Sequence, residues 1–132
     1  MKVTTHSNNL FQLTYMGWIN CYLVREDDGF TLIDTTMNGQ AQAIIQAAQK
    51  LGQPIVRIVL THAHGDHVGS LDSLHEALPD AEVIISERDA RFLVGDMSLD
   101  ENEPKSKLVG SYVLRKTKPT QLVHERDRKS VV

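Results

Sequence analysis

The sequence predicts an α/β fold: a mixed sheet with helices on one face. Three observations carry that prediction. A strand, a helix and a second strand follow one another within about 30 residues, the pattern of a parallel, right-handed βαβ unit. An antiparallel hairpin precedes that unit. A loop dense in histidine and aspartate follows its second strand directly, where sites in open α/β sheets lie.

Each element has a local reason. Residues 10–15 alternate loosely and read as a strand. Residues 18–24 are rich in Trp, Ile, Tyr and Val and read as the next strand, with 30–33 as its hairpin partner. Asp27-Asp28-Gly29 supplies the turn between them, Gly29 tolerating a positive φ. A helix follows over 39–51. Ala41, Ile44, Ile45, Ala48 and Leu51 fall on one face of a 3.6-residue period. Asn38 is its expected N-cap, and Gly52 followed by Pro54 stops it. Residues 55–60 are rich in β-branched side chains and read as a strand.

A second helix is expected from Val68 or Ser70 to Leu78, with Leu71, Leu74 and Leu78 on one face and Pro79 at its end. Residues 82–85 form another strand. Ser86-Glu87-Arg88-Asp89 resembles a capping box opening a third helix that ends near Gly95. Residues 96–107 are polar, carry Pro104 and read as a surface loop. Residues 108–114 suit helix or strand, 121–123 suit a short strand, and 124–132 form a charged, polar tail.

Composition bounds the function. At 132 residues the chain is a single domain's worth. Apolar residues make up 41%, too many for a disordered chain. Fourteen basic against seventeen acidic residues give a net charge of -3, which speaks against nucleic acid as a partner. No apolar stretch approaches the roughly 20 residues needed to span a bilayer, and residues 1–10 lack the apolar region of a secretory leader. The expectation is a soluble, cytoplasmic protein with no membrane partner. The single cysteine, Cys21, excludes an intramolecular disulfide, fits a reducing compartment and reads as a small buried hydrophobe.

The chemistry concentrates in Thr61-His62-Ala63-His64-Gly65-Asp66-His67-Val68-Gly69. Three of the six histidines and one aspartate fall within six positions. Imidazole nitrogen and carboxylate oxygen suit zinc and similar ions. In an extended segment residues 62 and 64 point the same way, because side chains repeat every two residues. Asp66 and His67 then face a neighbouring position. Four ligands in two pairs suit two metals better than one, and Gly65 and Gly69 are expected to let the backbone turn tightly around them.

These residues, with Leu32-Ile33-Asp34-Thr35 upstream and the order of elements, resemble the metallo-β-lactamase superfamily over about residues 10–95. The resemblance implies an αββα sandwich. It implies His62 and His64 on a first zinc, Asp66 and His67 on a second, and Asp34 supporting the metal loop from beneath. The histidine after Asp66 looks more like the glyoxalase II and lactonase branches. The implied reaction is hydrolysis of a small ester, thioester or lactone by metal-bound hydroxide. Asp66 is implied as a catalytic residue that orients the nucleophile or passes a proton to the leaving group.

A complete domain of that family has two similar halves and well over 200 residues. The contexts of the second half's ligands are missing here. His75 reads as a helix residue, His124 as part of the tail and His6 as part of a polar segment; Asp96 and Asp100 sit in a loop. The expectation is therefore one partial domain over 1–132, truncated to its first half, with half of the metal ligands. Its uncovered sheet face predicts a homodimer or larger assembly. Two alternatives stand beside the hydrolase: a catalytically inactive zinc-binding fragment, and a metal-free oligomerising module.

Overall fold

The computed structural model describes residues 1–61, 64–93 and 117–123. Seven strands form one sheet in sequence order: β1 (Lys2–Thr5), β2 (Leu10–Tyr15), β3 (Ile19–Glu26), β4 (Gly29–Ile33), β5 (Ile55–Val59), β6 (Glu82–Ser86) and β7 (Gln121–Val123). β1 to β4 pair antiparallel, and β4 to β7 pair parallel. The mixed sheet is thus as expected. Helices α1 (Ala41–Leu51), α2 (Gly65–Val68), α3 (Leu71–Ala77) and α4 (Glu87–Leu93) accompany the parallel half. Right-handed crossovers in a sheet that grows in one direction put their helices on the same face.

That face holds the core. Leu13, Leu23, Leu32, Ile58, Val83 and Ile85 point into it from the sheet, and Ile44, Leu71, Leu74 and Leu93 close it from the helices. Fully burying each such side chain contributes about 1.5–3 kcal/mol. Cys21 lies in the same layer, buried and without a disulfide. Burial, and secondarily the charge of Asp34, pushes its thiol pKa up to about 12, so it packs as a hydrophobe.

Several local expectations fail for tertiary reasons. The polar N-terminal segment forms β1, an edge strand of Lys, Val and Thr that pairs with β2. Its two outward rows leave no apolar alternation to read. Trp18 is not in β3 but in the β2–β3 connection, 70% exposed beside Met16 at 66%. Asn38 does not cap α1. Gln40 holds that position, its backbone N–H donating to Ser70 Oγ at 2.9 Å, with no side-chain cap. The expected second helix is α3, capped by Ser70 and Leu78; what the sequence did not suggest is the separate turn α2 before it, across Gly69 and Ser70.

Other punctuation is as expected. Gly52 ends α1 at φ 97°, its N–H donating to the carbonyls of Ala48 and Gln49. The Asp89 N–H donates to Ser86 Oγ at 3.2 Å at the start of α4. The expected end of that helix near Gly95, the 96–107 loop, the 108–114 segment and the 124–132 tail lie outside the described residues, as does His124.

Candidate metal centre

The loop after β5 sits at the carboxyl end of the parallel strands. Two neighbouring segments build it. Asp34 to Met37 leaves β4 on the same side, and both segments are stitched together by hydrogen bonds between residues more than 30 positions apart. The Thr35 N–H donates to the His67 carbonyl at 2.7 Å, and Thr35 Oγ1 donates to the same oxygen at 2.9 Å. The Gly69 N–H donates to the Thr36 carbonyl at 2.8 Å, and Ser70 Oγ donates to the Met37 carbonyl at 2.5 Å.

This approach explains Gly69. Its φ of −60° is ordinary helical geometry, so it is not the tight-turn glycine the sequence suggests. A Cβ there would lie 2.4 Å from the Asn38 backbone nitrogen. Gly65, in α2, is likewise absent from the positive-φ positions. The unusual backbone is across from them. Asp34 has φ 65° and Thr36 has φ 57°, left-handed values that cost non-glycine residues about 1–2 kcal/mol each. Thr36 is fully buried, and its hydroxyl finds no hydrogen-bond partner among the described residues.

Asp34 is the hub. It is 5% exposed, and its carboxylate accepts three hydrogen bonds. Oδ1 accepts from the Thr61 N–H at 2.8 Å, and Oδ2 from Thr61 Oγ1 at 2.7 Å. His67 Nδ1 lies 2.7 Å from the same Oδ2. A carboxylate there fixes the proton on Nδ1 and leaves Nε2 as the ring's lone-pair donor. That bond raises the His67 pKa against the opposing effect of partial burial, and the charges of Asp34 and Asp66 add to the rise. Metal and proton therefore compete for Nε2, and the rise in pKa strengthens the proton's side of that competition.

The other side of His67 meets Asp66. Its Nε2 lies 3.6 Å from Asp66 Oδ2. Two ligands of one tetrahedral zinc, each about 2.1 Å from it, stand ~3.4 Å apart. The spacing of Asp66 and His67 therefore fits a single ion between them. The two occupy the first helical turn of α2. His64 is extended, at φ −67° and ψ 149°, in the N-cap position of α2, and its carbonyl accepts from the His67 and Val68 N–H groups. His62 lies outside the described residues, so the expected His62–His64 pairing does too. Among the described residues no group of three or more His, Cys, Asp or Glu side chains converges to hold a metal ion.

His6 and His75 stand apart from this site. His6 Nε2 bonds Gln12 Oε1 at 2.8 Å, and His75 lies on α3. Sequence reasoning missed Ser70, which ties the Met37 carbonyl to the start of α1, and Thr36. No local signal marks either.

The fold and this loop together define a metallo-β-lactamase-like architecture, and the comparisons agree. The sequence matches the metallo-beta-lactamase superfamily over residues 17–129, and the chain belongs to that family. It is 46% identical over 127 residues to the uncharacterized protein YobT of Bacillus subtilis, covering 93% of this chain and 54% of YobT. It is 39% identical over 81 residues to a probable metallo-hydrolase of Streptococcus pyogenes, covering 61% of this chain and 34% of that protein. Over 61 residues it is 36% identical to the hydroxyacylglutathione hydrolase of Xanthomonas euvesicatoria, covering 46% of this chain and 23% of that enzyme. Among solved structures, the class B3 di-zinc metallo-β-lactamase LRA-12 from an Alaskan soil metagenome superposes with a TM-score of 0.76 at 20% identity, covering 96% of this chain and 47% of that one. The chain thus spans about half the length of YobT and of LRA-12, and its fold matches half of a metallo-β-lactamase sandwich.

Among the described residues no helix is long and apolar enough to cross a membrane.

Proposed function

We propose that this chain carries the first half of a hydrolytic zinc centre acting on a small ester, thioester or lactone in a reducing, cytoplasmic compartment. His62 and His64 would hold one ion, and Asp66 and His67 a second. Asp34 would position His67. The observation that supports this best is the run Asp34–His67–Asp66: a buried carboxylate 2.7 Å from Nδ1, and a second donor 3.6 Å from Nε2. Zinc in such a place supplies a Lewis acid and lowers the pKa of a coordinated water. Asp34 contributes orientation and tautomer. Asp66, its side chain 43% exposed, would orient the attacking water or pass a proton to the leaving group. The name hydroxyacylglutathione hydrolase among the relatives supports including thioesters.

The test is zinc titration of the metal-free protein by calorimetry, with bound metal counted, followed by assays on an aryl ester, a lactone and a glutathione thioester. Saturable zinc binding and chelator-sensitive hydrolysis are expected. Zinc binding without turnover on any of the three would establish the second reading, a silent zinc-binding chain. Absence of binding at saturating zinc would leave a metal-free module.

A further inference from the structure

Asn38 is left without the capping role its place in the sequence suggests. It precedes Gly39, and no other asparagine of the chain is followed by glycine. Both residues are exposed, in the turn that joins β4 to α1. Gly39 holds φ 90°, and a Cβ built on it would meet nothing within 4 Å. Among the described residues neither the Gly39 N–H nor the Asn38 amide takes part in a hydrogen bond. The nitrogen of residue 39 therefore has no side chain beside it, and no hydrogen bond, to shield it from the carboxamide one residue back.

We propose that Asn38–Gly39 is a site of spontaneous deamidation, and that its isoaspartyl product opens a clamp beneath the metal loop. Asparagine is a thermolabile residue, and glycine, with no side chain, obstructs the reaction least. The Gly39 nitrogen attacks Asn38 Cγ. The new N–Cγ bond closes a five-membered imide, the Cγ–Nδ2 bond breaks, and the Gly39 amide proton leaves with that nitrogen as ammonia. Water then opens the ring. Attack at Cγ restores the normal chain, with aspartate at 38. Attack at the α-carbonyl carbon leaves the chain running through the side-chain carbons, as isoaspartate, with one extra methylene in the backbone. Either way one water is consumed, one ammonia is released and one negative charge is gained at neutral pH.

That methylene falls where the backbone is held on both sides. Ser70 Oγ accepts from the Gln40 N–H at 2.9 Å and donates to the Met37 carbonyl at 2.5 Å. One hydroxyl thus spans the turn from its first residue to its fourth, in place of the direct bond that closes many turns. Beside it the Gly69 N–H donates to the Thr36 carbonyl at 2.8 Å, and a Cβ on Gly69 would stand 2.4 Å from the Asn38 nitrogen and 2.5 Å from the Met37 carbonyl carbon. Lengthening the chain between residues 37 and 40 moves the Met37 carbonyl and the Gln40 N–H apart, so one Ser70 oxygen no longer reaches both. Aspartate at 38 keeps the backbone and the clamp. Its charge lies just before α1, whose first turn holds no acidic residue, a favourable place for it. The two products therefore differ: isoaspartate loosens the support of the α2 turn that carries Asp66 and His67, and aspartate does not.

The test needs neither metal nor substrate. The purified chain is held for some weeks in metal-free buffer at physiological temperature and pH. Its charge forms are then separated by anion exchange and mapped by mass spectrometry, with fragmentation that tells isoaspartate from aspartate. Conversion at residue 38 is expected ahead of Asn8, Asn9 and Asn20, and Asn38→Gln, whose longer side chain would have to close a larger ring, should not convert at that position. The isoaspartyl form should melt about 5–10 °C below the parent, the loss of two hydrogen bonds. Asn38→Asp, which gains the charge without the methylene, should melt no lower than the parent. An intact Asn38 at the end of that time overturns the site. An isoaspartyl form that melts with the parent overturns the clamp, and so does an Asn38→Asp protein that melts as low as that form.

Discussion

Asp34→Asn tests the candidate centre at its hub. The change keeps shape and removes charge. Asn Oδ1 can still accept from the Thr61 N–H, but the amide nitrogen replaces the oxygen that lies 2.7 Å from both Thr61 Oγ1 and His67 Nδ1. That nitrogen is a donor. To meet it, His67 must carry its proton on Nε2, the atom 3.6 Å from Asp66 Oδ2, and so loses the lone pair a metal needs. Three charge-assisted bonds become neutral ones, a loss of about 1–3 kcal/mol in stability. Loss of such a supporting carboxylate costs about 10–100-fold in metal affinity, or ~1.4–2.8 kcal/mol. Calorimetric titration with zinc, beside a urea melt of the same sample, reads both quantities. Thr61→Val is the control: it removes one hydroxyl and leaves the Asp34–His67 bond, so affinity should stay within about threefold. A folded Asp34→Asn protein with unchanged zinc affinity would refute the tautomer argument.

Other substitutions probe the strained wall beneath the loop. Thr36→Gly should stabilise by ~1 kcal/mol in thermal melts: relief of the left-handed backbone and of the unpartnered hydroxyl outweighs the lost methyl and the flexibility glycine adds to the unfolded chain. A lower Tm would count against that balance. Gly69→Ala should cost about 2–3 kcal/mol or more, because its Cβ meets backbone at 2.4 Å and no side chain can move aside; a melt within 0.5 kcal/mol of the parent, a change typical of surface sites, would contradict the close approach. The Cys21 thiol should resist a disulfide reagent at pH 8 in the native protein and react with one equivalent after denaturation, since burial holds its pKa near 12. Prompt native reaction would place it outside the core.

Most strands and α1 were legible because their signal is local. Alternation in 10–15, the β-forming residue types of 18–24, and the 3.6-residue period of Ile44, Ala48 and Leu51 depend only on neighbours along the chain. β1 was illegible because an edge strand of Lys, Val and Thr buries little and so shows no apolar pattern. The break between α2 and α3 was equally hidden. It arises where Gly69 and Ser70 bond Thr36 and Met37, some 33 residues away in sequence. Trp18 misled because its type favours strands, while its position in a connection leaves it in water.

The sequence by itself determined the family and the chemical inventory, because the density of imidazole and carboxylate in 62–67 needs no fold to be recognised. Only the tertiary structure decided which nitrogen of His67 meets Asp34, why Thr36 carries a left-handed backbone, and that the Ser70 hydroxyl spans the turn at Asn38 and Gly39. Those facts rest on contacts between distant segments, and the spacing of residues along the chain holds no record of them.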